Sequence, residues 1–202
     1  MQINSAPTPT HVQGGRHDTL DLALLESVTA GDEAALRVLF VRHNVRVYRF
    51  VLRLTGSSSI AEETVSDVFL EVWRHAARFE MRSGVSTWLL AIARNKALAA
   101  LRRRSESPLD DEDLLLTIED PADDPEQFLD KQDRSTTVQF CLKQLSPAHR
   151  EVIDLVYYHG KSVDEVAEIV GIPASTVKTR MHYARGRMAR LLEQTGVDRA
   201  SV

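Results

Sequence analysis

A chain of 202 residues, 43% hydrophobic and 27% charged, can bury one ordinary core or two small ones, and nothing in its apolar runs approaches the length of a membrane span. The first twenty residues lack the apolar centre of a secretory signal, which places the protein in the cytoplasm without membrane insertion, and the single cysteine, Cys141, excludes an internal disulfide. The net charge of -4 hides a strong segregation: residues 105–133 hold twelve acidic side chains against Lys131 alone, net -11, leaving 24 basic and 17 acidic residues, net +7, elsewhere.

Outside that acidic segment apolar residues recur at three and four, and no stretch sustains the alternation of a strand, so the fold class expected is all-α. Residues 1–17, with Pro7, Pro9, Gly14 and Gly15, read as a disordered tail. A first helix is expected from Leu20 to Thr29, stopped at Gly31. Asp32 can cap a second, with apolar positions Leu36, Leu39, Phe40, Val47, Phe50, Val51 and Leu54, ending at Gly56. Ser59 with Glu62 reads as a capping box for a third helix to Phe79, and a turn from Glu80 to Gly84 leads to a fourth from Ser86 to Arg104. The acidic segment carries Pro108, Pro121 and Pro125 and a single apolar cluster, Leu114 to Leu116, and reads as a flexible connector. Helices resume near Glu126. Ser146 with Pro147 opens a helix to Tyr158 that stops at Gly160; Ser162 with Glu165 is a capping box for a short helix to Val170; and Gly171 precedes a last helix to Leu192. Cys141, in rhythm with Val138, Leu142 and Leu145 and with no ligand partner at metal-binding spacing, reads as a buried structural thiol.

The last two helices have helix-turn-helix proportions: Val166, Ile169, Val170, Ile172 and Val177 can fill the wedge, and small Ala167 permits close approach. The final helix carries Lys178, Arg180, Arg185, Arg187 and Arg190 and, as far as Leu192, no acid. With Val177, Met181, Ala184, Met188 and Leu191 turned inward, Lys178, Thr179, His182, Arg185 and Arg187 fall on outer or flanking faces, suited to phosphates and base edges. The fourth helix repeats the pattern with Arg94, Lys96, Arg102, Arg103 and Arg104. On the third, Leu70 and Trp73 are left over from the core stripe beside Glu63, Ser66, Asp67 and Glu71, either as a protein-binding surface or as residues covered by other helices. No glycine-rich phosphate loop, His and carboxylate cluster or nucleophile motif supports an enzyme.

The succession AGDEAALRVLFVRHNVRVYRFVLRLTG, AEETVSDVFLEVWR, STWLLAIARNKALAALRRR and LSPAHREVIDLVYYHGKSVDEVAEIVGIPASTVKTRMHYARGRMARLL resembles the extracytoplasmic-function (ECF) branch of the sigma-70 family. The resemblance implies region 2 at 18–104, an acidic linker at 105–133, region 4 at 134–195 and a C-terminal tail at 196–202. It implies that Glu63, Asp67, Leu70, Glu71 and Trp73 meet the clamp helices of the largest subunit of core RNA polymerase, with the flap as a further contact. It gives Phe79, Arg82, Ser83, Arg94, Asn95, Lys96, Arg102 and Arg103 to capture of melted -10 DNA, and Ser175, Thr176, Lys178, Thr179, Arg180, His182, Tyr183, Arg185 and Arg187 to the -35 duplex. Promoter DNA, core polymerase and an anti-sigma factor are the implied partners; the polymerase supplies the chemistry and its magnesium, so no cofactor or metal is expected in this chain. The linker is implied to thread the polymerase's basic channels, although charge repulsion alone would also keep it extended. Few aromatics lie near the fourth helix, Phe79 and Trp88 chief among them, so weak melting and strict promoter choice are expected. An alternative reading is a dimeric regulator that pairs through Leu70 and Trp73 and binds a symmetric operator.

Overall fold

The computed structural model describes residues 14–106 and 137–195, and among these every regular element is helical. The expected linker, its Leu114 to Leu116 cluster, the resumption of helix near Glu126, the C-terminal tail and most of the N-terminal tail lie outside the described residues.

The helices are α1 (Gly14–Thr29), α2 (Glu33–Thr55), α3 (Ser58–His75), a 3-10 turn (Ala76–Arg78) and α4 (Val85–Glu106) in the first module. The second holds α5 (137–143), α6 (Pro147–Tyr157), α7 (Val163–Val170) and α8 (Ala174–Gln194). In the first, α2, α3 and α4 pack together with α1 laid against α2. Val47, Phe50 and Val51 of α2, Val68 and Val72 of α3, and Leu89, Leu90 and Ala93 of α4 are almost wholly removed from water, the burial from which marginal helices draw most of their stability. Asp21 of α1 sits buried against His43 of α2 at 2.7 Å and takes Arg42 at 3.2 Å, fixing one helix on the other.

The expected punctuation holds at most boundaries. Asp32 Oδ1 accepts from the N–H groups of Ala34 and Ala35, and Gly56 ends α2 in the left-handed region at φ 72°. Ser146 accepts from His149 N–H with Pro147 at the first helical position, and Ser162 and Glu165 complete their reciprocal capping box. Four expectations need correction. Helix α1 begins at Gly14 rather than Leu20, so residues 14–17 belong to a helix and not to the tail; once Leu25 and Val28 are docked, each added turn costs little. The cap of α3 is Ser57, whose side chain accepts from Ile60 N–H, and not Ser59. In a run of three serines the spacing to Glu62 favoured the wrong one, because the chain turns out of Gly56 one residue later. Helix α3 also ends at His75, giving way to the 3-10 turn before Phe79. Phe40, expected in the core, is 39% exposed and meets Phe69 edge-on with centroids 5.0 Å apart.

Cys141 is fully buried, and desolvation pushes its thiol pKa up, as suits a packing residue.

Candidate nucleic-acid and polymerase interfaces

Helix α8 is placed by the wedge beneath it. Val166, Ile169 and Val170 of α7 and Val177, Met181, Ala184 and Leu191 of α8 are buried, Met188 is half-buried against the same cluster, and Gly171 turns the chain between the helices at φ 72°. The opposite face is thereby turned outward. Ser175, Lys178, Thr179, His182, Tyr183, Arg185 and Arg187 are exposed, and Thr176 and Arg180 are half-buried on its flank. Tyr183, at 62% exposure, lies edge-on to His182 at 5.7 Å, so the two rings stand side by side on the surface. Thr179 hydroxyl donates to Ser175 carbonyl, a local bond within the helix. A basic, acid-poor helix presented in this way offers cations and short polar groups to a groove.

On α3, Glu63 and Leu70 are exposed, Leu70 at 43%, while Asp67 and Glu71 are half-covered. Trp73 is half-buried and packed on the core, so the two residues left over from the stripe divide: Leu70 faces water and Trp73 serves both faces. Val38, Val41 and Val45 add exposed apolar side chains on α2, a feature hidden from the periodicity because that helix alternates valines with arginines. The acidic face of α3 also leans on α4. Lys96 lies 3.9 Å from Asp67 and 3.6 Å from Glu71, and Arg103 lies 4.0 Å from Glu63, so the expected polymerase-facing and DNA-facing residues form adjoining, ion-paired strips.

The remaining expected -10 residues fall into two groups. Asn95, Arg102 and Arg103 are exposed on α4; Arg82 is held by Glu80 at 2.7 Å in the turn, and Phe79 packs at 5.3 Å on Trp88. Met81, at φ 52°, marks this turn as strained. The second group is engaged by the other module. Arg94 Nε donates to Glu151 Oε1 at 2.6 Å with a second bond to Oε2 at 3.3 Å, and Ser83 hydroxyl donates to Glu168 at 2.6 Å.

These contacts belong to a wider junction that sequence reasoning missed. Lys161, buried, donates to Ser86 at 2.7 Å, Thr87 at 2.8 Å and Glu165 at 3.0 Å, and Thr87 donates to Glu165 at 2.6 Å. Arg53 of α2 is ion-paired to Asp154 of α6, donates to His159 Nε2 at 3.0 Å and lies over the Tyr158 ring at 4.7 Å. His159 in turn meets Phe50 edge-on at 5.5 Å, and buried apolar residues of both modules form one contiguous cluster. The partners hydrogen-bonded between the modules lie 57 to 106 residues apart in sequence, so no local pattern announces them. The clearest local oddity was Lys161, a cation directly after a helix stop.

Comparison with known proteins gives both halves a family. Residues 39–107 match the family model described as Sigma-70 region 2, and residues 141–190 the one described as Sigma-70, region 4. The chain is 32% identical over 180 residues to the ECF RNA polymerase sigma factor SigL of Mycobacterium tuberculosis, covering 88% of this chain and all of that protein. It is 33% identical over 190 residues to SigM of the same organism, covering 92% of each. Among solved structures it is similar to the sigma factor RpoE of Bartonella quintana, crystallised with the anti-sigma factor NepR. That match has 26% identity and a TM-score of 0.61, covering 78% of this chain and 96% of that one.

Proposed function

The chain belongs to the ECF RNA polymerase sigma factors, the subunits that direct promoter-specific initiation, and on that footing we propose how its surfaces divide the work. Helix α8 reads the -35 duplex through Lys178, Thr179, His182 and Tyr183, with Arg180, Arg185, Arg187, Ser175 and Thr176 on phosphates or the groove edge. The observation that carries this assignment is the outward, acid-poor face of α8 over a fully buried wedge. The turn at Phe79 to Ser83 and the basic side of α4 hold the melted -10 strand, and α3, with Glu63, Asp67, Leu70, Glu71 and Trp73, docks on the clamp helices of the core enzyme.

This division follows from cost. Unstacking bases costs a few kcal/mol per step, and a pocketed base with a neutralised backbone offsets it. The chain contributes binding and positioning and no catalysis of its own, acts in the cytoplasm, and contacts the polymerase flap through region 4. An anti-sigma factor restrains it, a reading supported by the relative solved with NepR. The expected domain limits, with a linker at 105–133 between the modules, are part of the same proposal.

The test is transcription from a fragmented genomic library by core polymerase with and without the full chain. Discrete new start sites sharing two upstream elements are the expected result. DNA binding without any core-dependent start would reject the assignment. Because Phe79 and Trp88 pack on each other rather than standing free as platforms, starts with several mismatches in the -10 element should be transcribed at a small fraction of the consensus rate.

A further inference from the structure

We propose that Gly186 is a seat for the sugar-phosphate backbone of the duplex on helix α8, with Arg190 held beside it as a phosphate clamp. The inference rests on the reading of α8 proposed above and extends it past Arg187 to a close contact with the strand itself.

Gly186 is costly where it stands. It lies in the interior of α8 (Ala174–Gln194), where glycine is the least favourable residue after proline, because it gives up the most backbone freedom and leaves the backbone exposed to water. Conformation does not require it. Gly31, Gly56, Gly160 and Gly171 adopt positive φ where the chain turns, and Gly186 is not among them. Packing does not require it either: a Cβ at Gly186 would meet nothing within 4 Å among the described residues, whereas at Gly84 it would run into Asp18. Alanine would therefore fit the free chain and strengthen the helix, and any gain from bare backbone at this point lies outside the chain.

Direction and charge say what approaches. Gly186 follows the fully buried Val177 by nine positions, which at about 100° per residue turns it about 180° away from the wedge. It stands one turn beyond His182 and two beyond Thr179, so the three share the outward face. Arg185 and Arg187 flank it, both exposed. Arg190 Nε donates to the Gly186 carbonyl at 3.3 Å, which folds that side chain back along the helix and sets its guanidinium beside the uncovered backbone. The terminal nitrogens of the fork are then the part suited to a phosphate. The first acid along the helix, Glu193, stands about 10 Å further on. Three cations around a stretch of bare helix fit a polyanion in close approach, and the face is continuous with the groove-reading residues Thr179 and His182. A phosphodiester strand passing out of the groove meets both conditions, since only a missing Cβ lets a backbone settle against a backbone.

The test uses holoenzyme assembled from core polymerase and the full chain, with core polymerase alone as background. Fluorescence anisotropy over a salt series reads binding to a labelled promoter duplex from a mapped start site and to the same duplex with its -35 element scrambled; thermal unfolding is read on each full-length chain. Gly186→Ala should raise Tm by about 2 °C and yet weaken duplex binding about tenfold, and Gly186→Gln should weaken it further. Both variants should lose the same factor on the scrambled duplex, because strand contacts carry no sequence information. Arg190→Ala should reduce the slope of log K against log salt by about 1. A more stable chain that binds less well cannot owe its loss to a damaged fold. Equal duplex affinity for wild type and Gly186→Ala would overturn the proposal, and so would a loss confined to assembly with core polymerase, which would give the bare backbone to a protein contact. If the wild type adds no duplex binding to that of core polymerase, the reading of α8 fails and this inference with it. If His182→Ala still changes the preferred base while Gly186→Ala changes nothing, the reading of α8 stands and this inference alone falls.

Discussion

Glu165 shows how much one side chain can be asked to do. Its carboxylate closes the capping box of α7 by accepting from Ser162 N–H at 2.9 Å, and it also takes Thr87 from across the junction and Lys161 from its own module. Burial works to raise its pKa, but the hydrogen bonds from Thr87, Ser162 and Lys161, with the lysine charge, outweigh it and bring the group from its ordinary 4.5 to about 2. A carboxyl depressed in the folded state stabilises it fully above the unfolded pKa, and that contribution is withdrawn as pH falls from 4.5 towards about 2. Urea midpoints measured between pH 6 and pH 3 should therefore fall with acidity, and Glu165→Gln should flatten part of that slope; an identical slope in the variant would show that the carboxylate is not coupled to folding. Gly84 carries a second residue-scale prediction. A Cβ there would lie 2.5 Å from Asp18 Oδ2, beside the start of α4. Gly84→Ala should cost under about 1 kcal/mol, read as a small drop in Tm, because the clash falls on the movable end of the Asp18 side chain and not on packed core. Pairing it with Asp18→Ala should recover part of the loss.

At the scale of the element, the final helix is where sequence and structure agree most closely, and the reason is physical. Its inward stripe and its cationic face are both local, spaced by the helical period, so they are written within twenty residues, and the Ser162 box and Gly171 punctuate its neighbour. If Lys178 and Arg187 meet phosphates, replacing either with alanine should weaken binding to all duplexes alike and reduce the slope of log K against log salt by about 1 each. His182→Ala should instead change which -35 base is preferred, measured by competition among single-base variants. The third helix was less legible. Its buried stripe of Val65, Val68 and Val72 followed from periodicity, but its start did not. Three consecutive serines make equivalent local signals, and only the left-handed turn at Gly56 selects Ser57. The exposure of Phe40 was hidden because an aromatic at a core-like position can stack on a neighbour's edge and remain half in water.

For the whole molecule, composition alone was a poor guide, since a net charge of -4 conceals two basic modules, and charge segregation recovered them. What the sequence could not convey is how the modules meet. Arg53, Arg94 and Thr87 on one side and Glu151, Asp154, Lys161 and Glu165 on the other each look like ordinary surface polar residues in isolation, and their pairing across 57 or more positions depends on the three-dimensional arrangement. The most direct measurement is a footprint of the complex formed by core polymerase and the full chain at a mapped start site, combining nuclease protection with permanganate reactivity. The account predicts a protected duplex upstream, lost on replacing Lys178 and Arg187 together, and a separate stretch of reactive unpaired thymines over the -10 element that requires core polymerase and weakens with Arg94→Ala. A single symmetric protected site that forms without core polymerase, with no unpaired thymines, would contradict it.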